Sequence, residues 1–221
     1  TGSITFLIIG FCLGLCSGFA IPVAQRFGSR DYKELRRFIG NAVWLCVGFG
    51  IVLTVLTVIF CRNILELMGT PADIIDDAYA YLVVIFAGIP ATFLYNMLAG
   101  IQRAIGDSRM PLYVLIVCCL ANVVLDLLFV VVFHWGVFGV AFATILSQLI
   151  SAVLLMIRLM GTQEAYRVEL RKIRFHKDIL KNVVRIGLPA GLQSVMYSFS
   201  NILIQASINL SLIHISEPTR P

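Results

Sequence analysis

Six uncharged stretches, at 1–25, 38–61, 78–102, 110–125, 127–157 and 186–216, run through this sequence with only short charged segments between them. A helix needs about 17–25 mostly apolar residues to cross a bilayer, so the stretches have the length of spans. They also deny the chain the polar surface that a water-soluble fold requires. Composition agrees: 59% of the residues are apolar and 13% charged, against roughly 45–50% and about 25% in soluble domains.

Only helices and closed β-barrels satisfy every backbone group in lipid. Barrel strands alternate apolar and polar residues over short segments, whereas these stretches are apolar all round. The expected fold is therefore all-α, a polytopic transmembrane bundle with six spans. Residues 110–157 hold one charge, Asp126, and exceed a single span; His134-Trp135-Gly136 supplies a turn with an interfacial Trp, and splits them into two antiparallel helices.

Basic residues set the orientation. Arg26, Arg30, Lys33, Arg36 and Arg37 precede the second span, Arg103 and Arg109 follow the third, and eight more lie between Arg158 and Arg185. Fifteen of the 17 basic residues thus share one side, while Arg62 stands near the acidic Glu66, Asp73, Asp76 and Asp77 on the other. The basic side is expected to be cytoplasmic, against the anionic inner leaflet of a cell membrane. That accounts for the net charge of +5, and no basic patch remains for nucleic acid. The six cysteines lack CxxC spacing and mostly fall inside spans, which suits small packing residues rather than disulfides or a zinc site.

This orientation puts Thr1 outside at the head of an inward-running helix, so an upstream helix is expected. Residues 210–221 break the pattern and resemble the translation of a sequencing-library adapter; native sequence is expected to end near Asn209. The expected organisation is a first-lobe helical unit over 1–160, a basic amphipathic cytoplasmic linker over 161–185 that lies on the inner leaflet, and a further helix over 186–209.

Gly10, Gly14 and Gly18 recur every fourth residue and clear one helix face for close packing. Pro22 and Pro90 each remove a helical hydrogen bond and permit a kink. Asp126 is the one acid inside a span, where translocon-type scales put its cost at about 2.5–3.5 kcal/mol; it calls for a polar partner, a water-filled cavity or a cation. Asn122 lies one turn before it on the same face. Asp126 stands nine positions before Trp135 and Thr144 nine after it, so a hairpin brings the two to similar depth. The carboxylate, amide and hydroxyl form an oxygen cluster suited to Na⁺, or to a proton on the acid; interhelical hydrogen bonding is the alternative use of the same groups. Ser147 and Gln148 continue the polar side of Thr144 and are candidates to line a substrate cavity, with interhelical hydrogen bonding as the alternative. Tyr81, Tyr95 and Asn96 are candidates for a substrate-facing surface. No HExxH, GxSxG or P-loop pattern occurs, so no enzyme is expected.

Several strings together resemble the multidrug and toxic compound extrusion (MATE) transporters: Gly106-Asp107-Ser108-Arg109-Met110-Pro111, Asn122-Val123-Val124-Leu125-Asp126, Gly136-Val137-Phe138-Gly139-Val140-Ala141-Phe142-Ala143-Thr144, and Gly187-Leu188-Pro189-Ala190-Gly191-Leu192-Gln193. The resemblance reaches to about Asn209 and implies helices two to seven of a twelve-helix, two-lobe transporter. It implies export of lipophilic, often cationic, drug-like compounds in exchange for Na⁺ or H⁺, with no other cofactor, by a protein that is monomeric when complete. It places the cation site at Asn122, Asp126 and Thr144, with a further carboxylate on the upstream helix, and matches Tyr81 to a tyrosine of the same cavity. A lipid-linked oligosaccharide flippase of the same superfamily is the near alternative, and a membrane-embedded enzyme with its catalytic groups elsewhere the distant one.

Overall fold

Each uncharged stretch becomes helix, the local structure that pairs its own backbone polar groups without help from solvent. A computed structural model describes residues 2–67, 75–162 and 176–216, and within these the side chains other than those of 2–7, 64, 67, 77, 202, 205, 206 and 209–216. The helices are α1 (Gly2–Gly28), α2 (Tyr32–Leu67), α3 (Ile75–Ala87), α4 (Ile89–Ala104), α5 (Arg109–Leu127), a π-turn (Leu128–Val132), α6 (Gly136–Gly161) and α7 (Lys177–Ser216). No strand occurs among the described residues. Four helical stretches are long and apolar enough to cross a bilayer: α1, α2, α5 with its π-turn, and α6. The α3–α4 pair, bent by 43°, makes a fifth if it is taken as one span; α7 is 40 residues long but is not apolar enough over its described residues to count as the expected sixth.

The bend between α3 and α4 follows from Pro90. Proline has no N–H for the carbonyl four residues back, which is that of Phe86. Thr54 of α2 replaces the lost donor, its Oγ1 donating to the Phe86 carbonyl at 3.1 Å. Gly88 occupies the break, where a Cβ would lie 2.3 Å from the Ile145 side chain of α6; only glycine admits so close an approach. Pro22, by contrast, sits inside an unbroken α1.

The glycine stripe of α1 packs against α7. A Cβ on Gly10 would meet Ser198 Oγ at 2.6 Å, one on Gly14 would meet Ser194 Oγ at 2.5 Å, and one on Gly18 would meet Gly187 Cα at 2.6 Å. Contacts climb α7 as they descend α1, so the two helices run antiparallel and nearly backbone to backbone. Gly187 answers with room for Phe19, which is buried in the core with Leu15, Phe93 and Met97.

At the other end of α7, Ile179 and Val183 are buried in the bundle core, and the fully buried Asn41 accepts a hydrogen bond from the His176 amide at 2.9 Å. The amphipathic stretch at 177–185 is thus the first turns of α7, with its apolar side on protein rather than on a leaflet. The remainder of the expected linker, 163–175, and residues 217–221 of the expected foreign tail lie outside the described residues. The outer faces of α2 and α5 are apolar and exposed, with Ile59, Leu120 and Val124 each 64% accessible, as a lipid-facing surface requires.

Candidate functional site

The α5–α6 hairpin turns through Phe133–Gly136, with His134 and Gly136 at φ 56° and 55°. Positive φ is rarely accessible to residues other than Gly, Asn, Asp and His, so His134 and Gly136 suit the two positions that reverse the chain. The last turns of α5 widen into a π-turn, closed by the Phe133 amide donating to the Leu128 carbonyl at 3.1 Å. Phe129, buried, stacks on Trp135 with centroids 5.1 Å apart and meets Phe142 edge-on at 5.5 Å. Gly139 allows this, because a Cβ there would stand 3.0 Å from Phe129 Cβ. The hairpin tip is held by aromatic packing.

Below that aromatic cap lie the three oxygen-bearing residues expected to cluster. Asn122 Nδ2 reaches Thr144 Oγ1 across the hairpin at 3.5 Å, and the threonine hydroxyl also lies 3.0 Å from the Val140 carbonyl, to which it donates. Asp126, one turn from Asn122, is half-buried, and its Oδ1 is buried with no hydrogen-bond partner among the described residues. Symmetric counting about Trp135 sets Asp126 opposite Thr144; the contact across the hairpin belongs to Asn122 instead. An acceptor in this position costs about 1–3 kcal/mol when left unmade. The donor set suits a hard monovalent cation or a proton on the acid, and no group of three or more His, Cys, Asp or Glu side chains fit for a transition metal exists among the described residues.

A polar layer extends from this cluster along α6 toward α4. Ser147 Oγ donates to the Thr144 carbonyl at 2.9 Å. Thr92 Oγ1 of α4 donates to Gln148 Oε1, and Asn96 Nδ2 donates to the Thr92 carbonyl at 2.8 Å. Gln148 and Asn96 therefore belong to one network, which Thr92 joins. Thr92 escapes a reading of the sequence because a threonine in an apolar span usually bonds its own helix; its spacing of four from Asn96 is the available signal. Tyr81 stands apart. It is half-buried against the apolar core on α3, a helix that packs on α2, α4 and α6 rather than on α5.

At the basic end of the bundle, Gln102 is only 2% exposed; its Nε2 donates to the Leu155 carbonyl at 3.1 Å while its Oε1 has no partner among the described residues. Asp107 and Arg158 approach to 4.0 Å beside it. The cysteines act as packing residues: Cys12, Cys16, Cys46, Cys61 and Cys118 are buried, all six are free, and Cys16 Sγ donates to the Phe93 carbonyl at 3.5 Å.

Comparison with known proteins adds three findings. The MatE family model matches residues 1–128. Among curated relatives, the probable multidrug resistance protein YoeA of Bacillus subtilis (strain 168) is 31% identical over 211 residues, covering 92% of this chain and 46% of YoeA. The multidrug export protein MepA of Staphylococcus aureus (strain NCTC 8325 / PS 47) is 23% identical over 216 residues, covering 96% and 47%. The chain thus spans about half the length of the curated relatives it matches. Among solved structures, a multidrug resistance MATE family transporter of the MOP superfamily matches in its outward-facing conformation with TM-score 0.82 at 25% identity, over 92% of this chain and 45% of that one. The inward-facing conformation of a transporter so described matches with TM-score 0.80 at 26% identity, over 89% and 45%.

Proposed function

The chain belongs to the MatE family, a family of multi-pass membrane transporters rather than enzymes, and from that premise we propose that it forms one half of a cation-coupled efflux antiporter for lipophilic, drug-like compounds. The observation that carries the coupling is the buried Oδ1 of Asp126 with no partner among the described residues, one turn from the Asn122–Thr144 contact. Na⁺ would take oxygens from Asp126 and Thr144 and the amide oxygen of Asn122; a proton would neutralise the same carboxylate. Either removes the cost of the orphaned acceptor, and so biases the helices that hold it. Each charge moving inward through the site is driven by about 2.3 kcal/mol per 100 mV.

Drug export is supported by the relatives, which are named for multidrug resistance and multidrug export. No Lys or Arg is buried among the described residues, which favours a lipophilic or cationic cargo over the anionic headgroup that a flippase must accommodate. The basic ends of the helices are assigned to the cytoplasm. In cells carrying the full-length gene product, Asp126→Asn is expected to abolish Na⁺- or H⁺-driven ethidium efflux while membrane insertion is retained. Undiminished cation-dependent efflux by that variant would overturn the role of Asp126.

A further inference from the structure

An open apolar groove of about 320 Å³ runs between α2 and the start of α7, lined by Trp44, Leu45, Gly48, Phe49, Val52 and Leu180. It plays no part in the cation cluster, which lies on α5 and α6. Its floor is notched: a Cβ on Gly48 would meet nothing within 4 Å, while Trp44 beside it is 54% exposed. One end of the groove is cationic. Leu180 shares a side of α7 with the exposed Lys177, one turn before it, and His176 beside that lysine bonds Asn41, one turn from Arg37 on α2. Arg37 is seven residues before Trp44, hence about two turns and 10 Å along the same face of α2. Arg37 is paired with Glu34 at 2.9 Å, but both side chains are well exposed, at 42% and 30%, and exposed pairs of this kind hold weakly. Asp178 is the other acid nearby and falls on the far side of α7.

An apolar slot, a tryptophan at its mouth and two cations at its foot describe the complement of one molecule. We infer that the groove binds an anionic phospholipid, with an acyl chain along Trp44, Gly48 and Val52 and the phosphate between Arg37 and Lys177. A second copy of the chain, or another helix, would find the foot of the groove charged and repulsive to a like surface; a zwitterionic lipid would leave the cations unmatched. A lipid seated here touches α2 and α7 together.

The test uses the two tryptophans. In the Trp135→Phe chain, Trp44 is the sole fluorophore, and quenching by dibrominated phosphatidylglycerol can be compared with dibrominated phosphatidylcholine in vesicles at physiological salt. Each basic side chain near an anionic headgroup is worth about a fivefold preference, so phosphatidylglycerol should be preferred at Trp44 at least fivefold. Arg37→Gln with Lys177→Gln should bring the ratio close to one. Gly48→Leu, which fills the notch and leaves every cation in place, should lower it as well. If Trp135→Phe loses helical content, the difference between the parent chain and Trp44→Phe isolates the same signal. Equal quenching by the two lipids, or a preference that survives the double substitution, overturns the site. Absence of quenching by either lipid would show that protein covers the groove, and overturns it equally. None of these readings depends on transport, so failure here and failure of the antiporter reading are separate results.

Discussion

Asp126 holds one carboxylate oxygen away from solvent without a donor among the described residues, and a residue in that position gains from any cation that reaches it. Its binding should therefore appear as stability. In the purified chain, NaCl is expected to raise the melting temperature relative to choline chloride; a ligand at a hundredfold its dissociation constant contributes about 2.7 kcal/mol. Asp126→Asn should remove that response and leave the melt in choline unchanged or higher. Thr144→Val, which deletes one oxygen and the acceptor of Asn122, is expected to weaken the Na⁺ response about tenfold in concentration, the effect of a single net hydrogen bond. The Asp107–Arg158 pair offers a contrast: at 4.0 Å, with Arg158 53% exposed, its loss in Arg158→Gln should shift stability by no more than about 1 kcal/mol. Asn122 and Asp126 are legible in sequence because a carboxylate and an amide one turn apart are conspicuous in an apolar span. Thr92 is not, since its partner Gln148 is 56 residues away.

Among the helices, the bent third span and the α1–α7 contact carry the most specific arrangements. Pro90 announces the bend, yet nothing near it in sequence announces Thr54, whose hydroxyl satisfies the Phe86 carbonyl from a different helix. Thr54→Val keeps the shape and removes the donor, and should destabilise the bundle by about 1–3 kcal/mol through the orphaned carbonyl, readable as a lowered midpoint in a denaturant titration. Thr54→Ser should restore most of it. The glycine stripe likewise shows from its period that some backbone comes close, but α7 as the partner emerges only from the fold. Gly10→Cys with Ser198→Cys should cross-link readily with an oxidant, given the 2.6 Å approach of a Cβ on Gly10 to Ser198 Oγ. In the full-length gene product the cross-link is expected to arrest efflux reversibly, if the lobes rock about α1 and α7; efflux that continues under full cross-linking would place the moving boundary elsewhere.

Over the whole molecule, the chain matches outward-facing and inward-facing transporter structures about equally well, at TM-scores of 0.82 and 0.80. The arrangement of these helices is therefore common to the folds of both states. Sidedness is testable directly. In a Cys119→Ala background, since Cys119 is the exposed cysteine among six, a membrane-impermeant maleimide should label His134→Cys in intact cells and Ser29→Cys only after permeabilisation. The opposite pattern would invert the orientation assigned from the basic residues.

By itself the sequence determined the helical class, the approximate spans, the turn at His134-Trp135-Gly136 and the three residues of the oxygen cluster, because bilayer thickness and backbone hydrogen bonding act locally and leave their period in the chain. Tertiary structure decided the rest: that Asn122 rather than Asp126 reaches Thr144, that Tyr81 faces the apolar core, that 177–185 packs on protein, and that α5 ends in a π-turn under stacked rings. Each of these depends on which side chain of one helix meets which of another. In lipid, helix surfaces are uniformly apolar to a first approximation, so small residues, isolated hydroxyls and the depth at which they meet choose the partner. Those are pairwise quantities, and no single segment contains them.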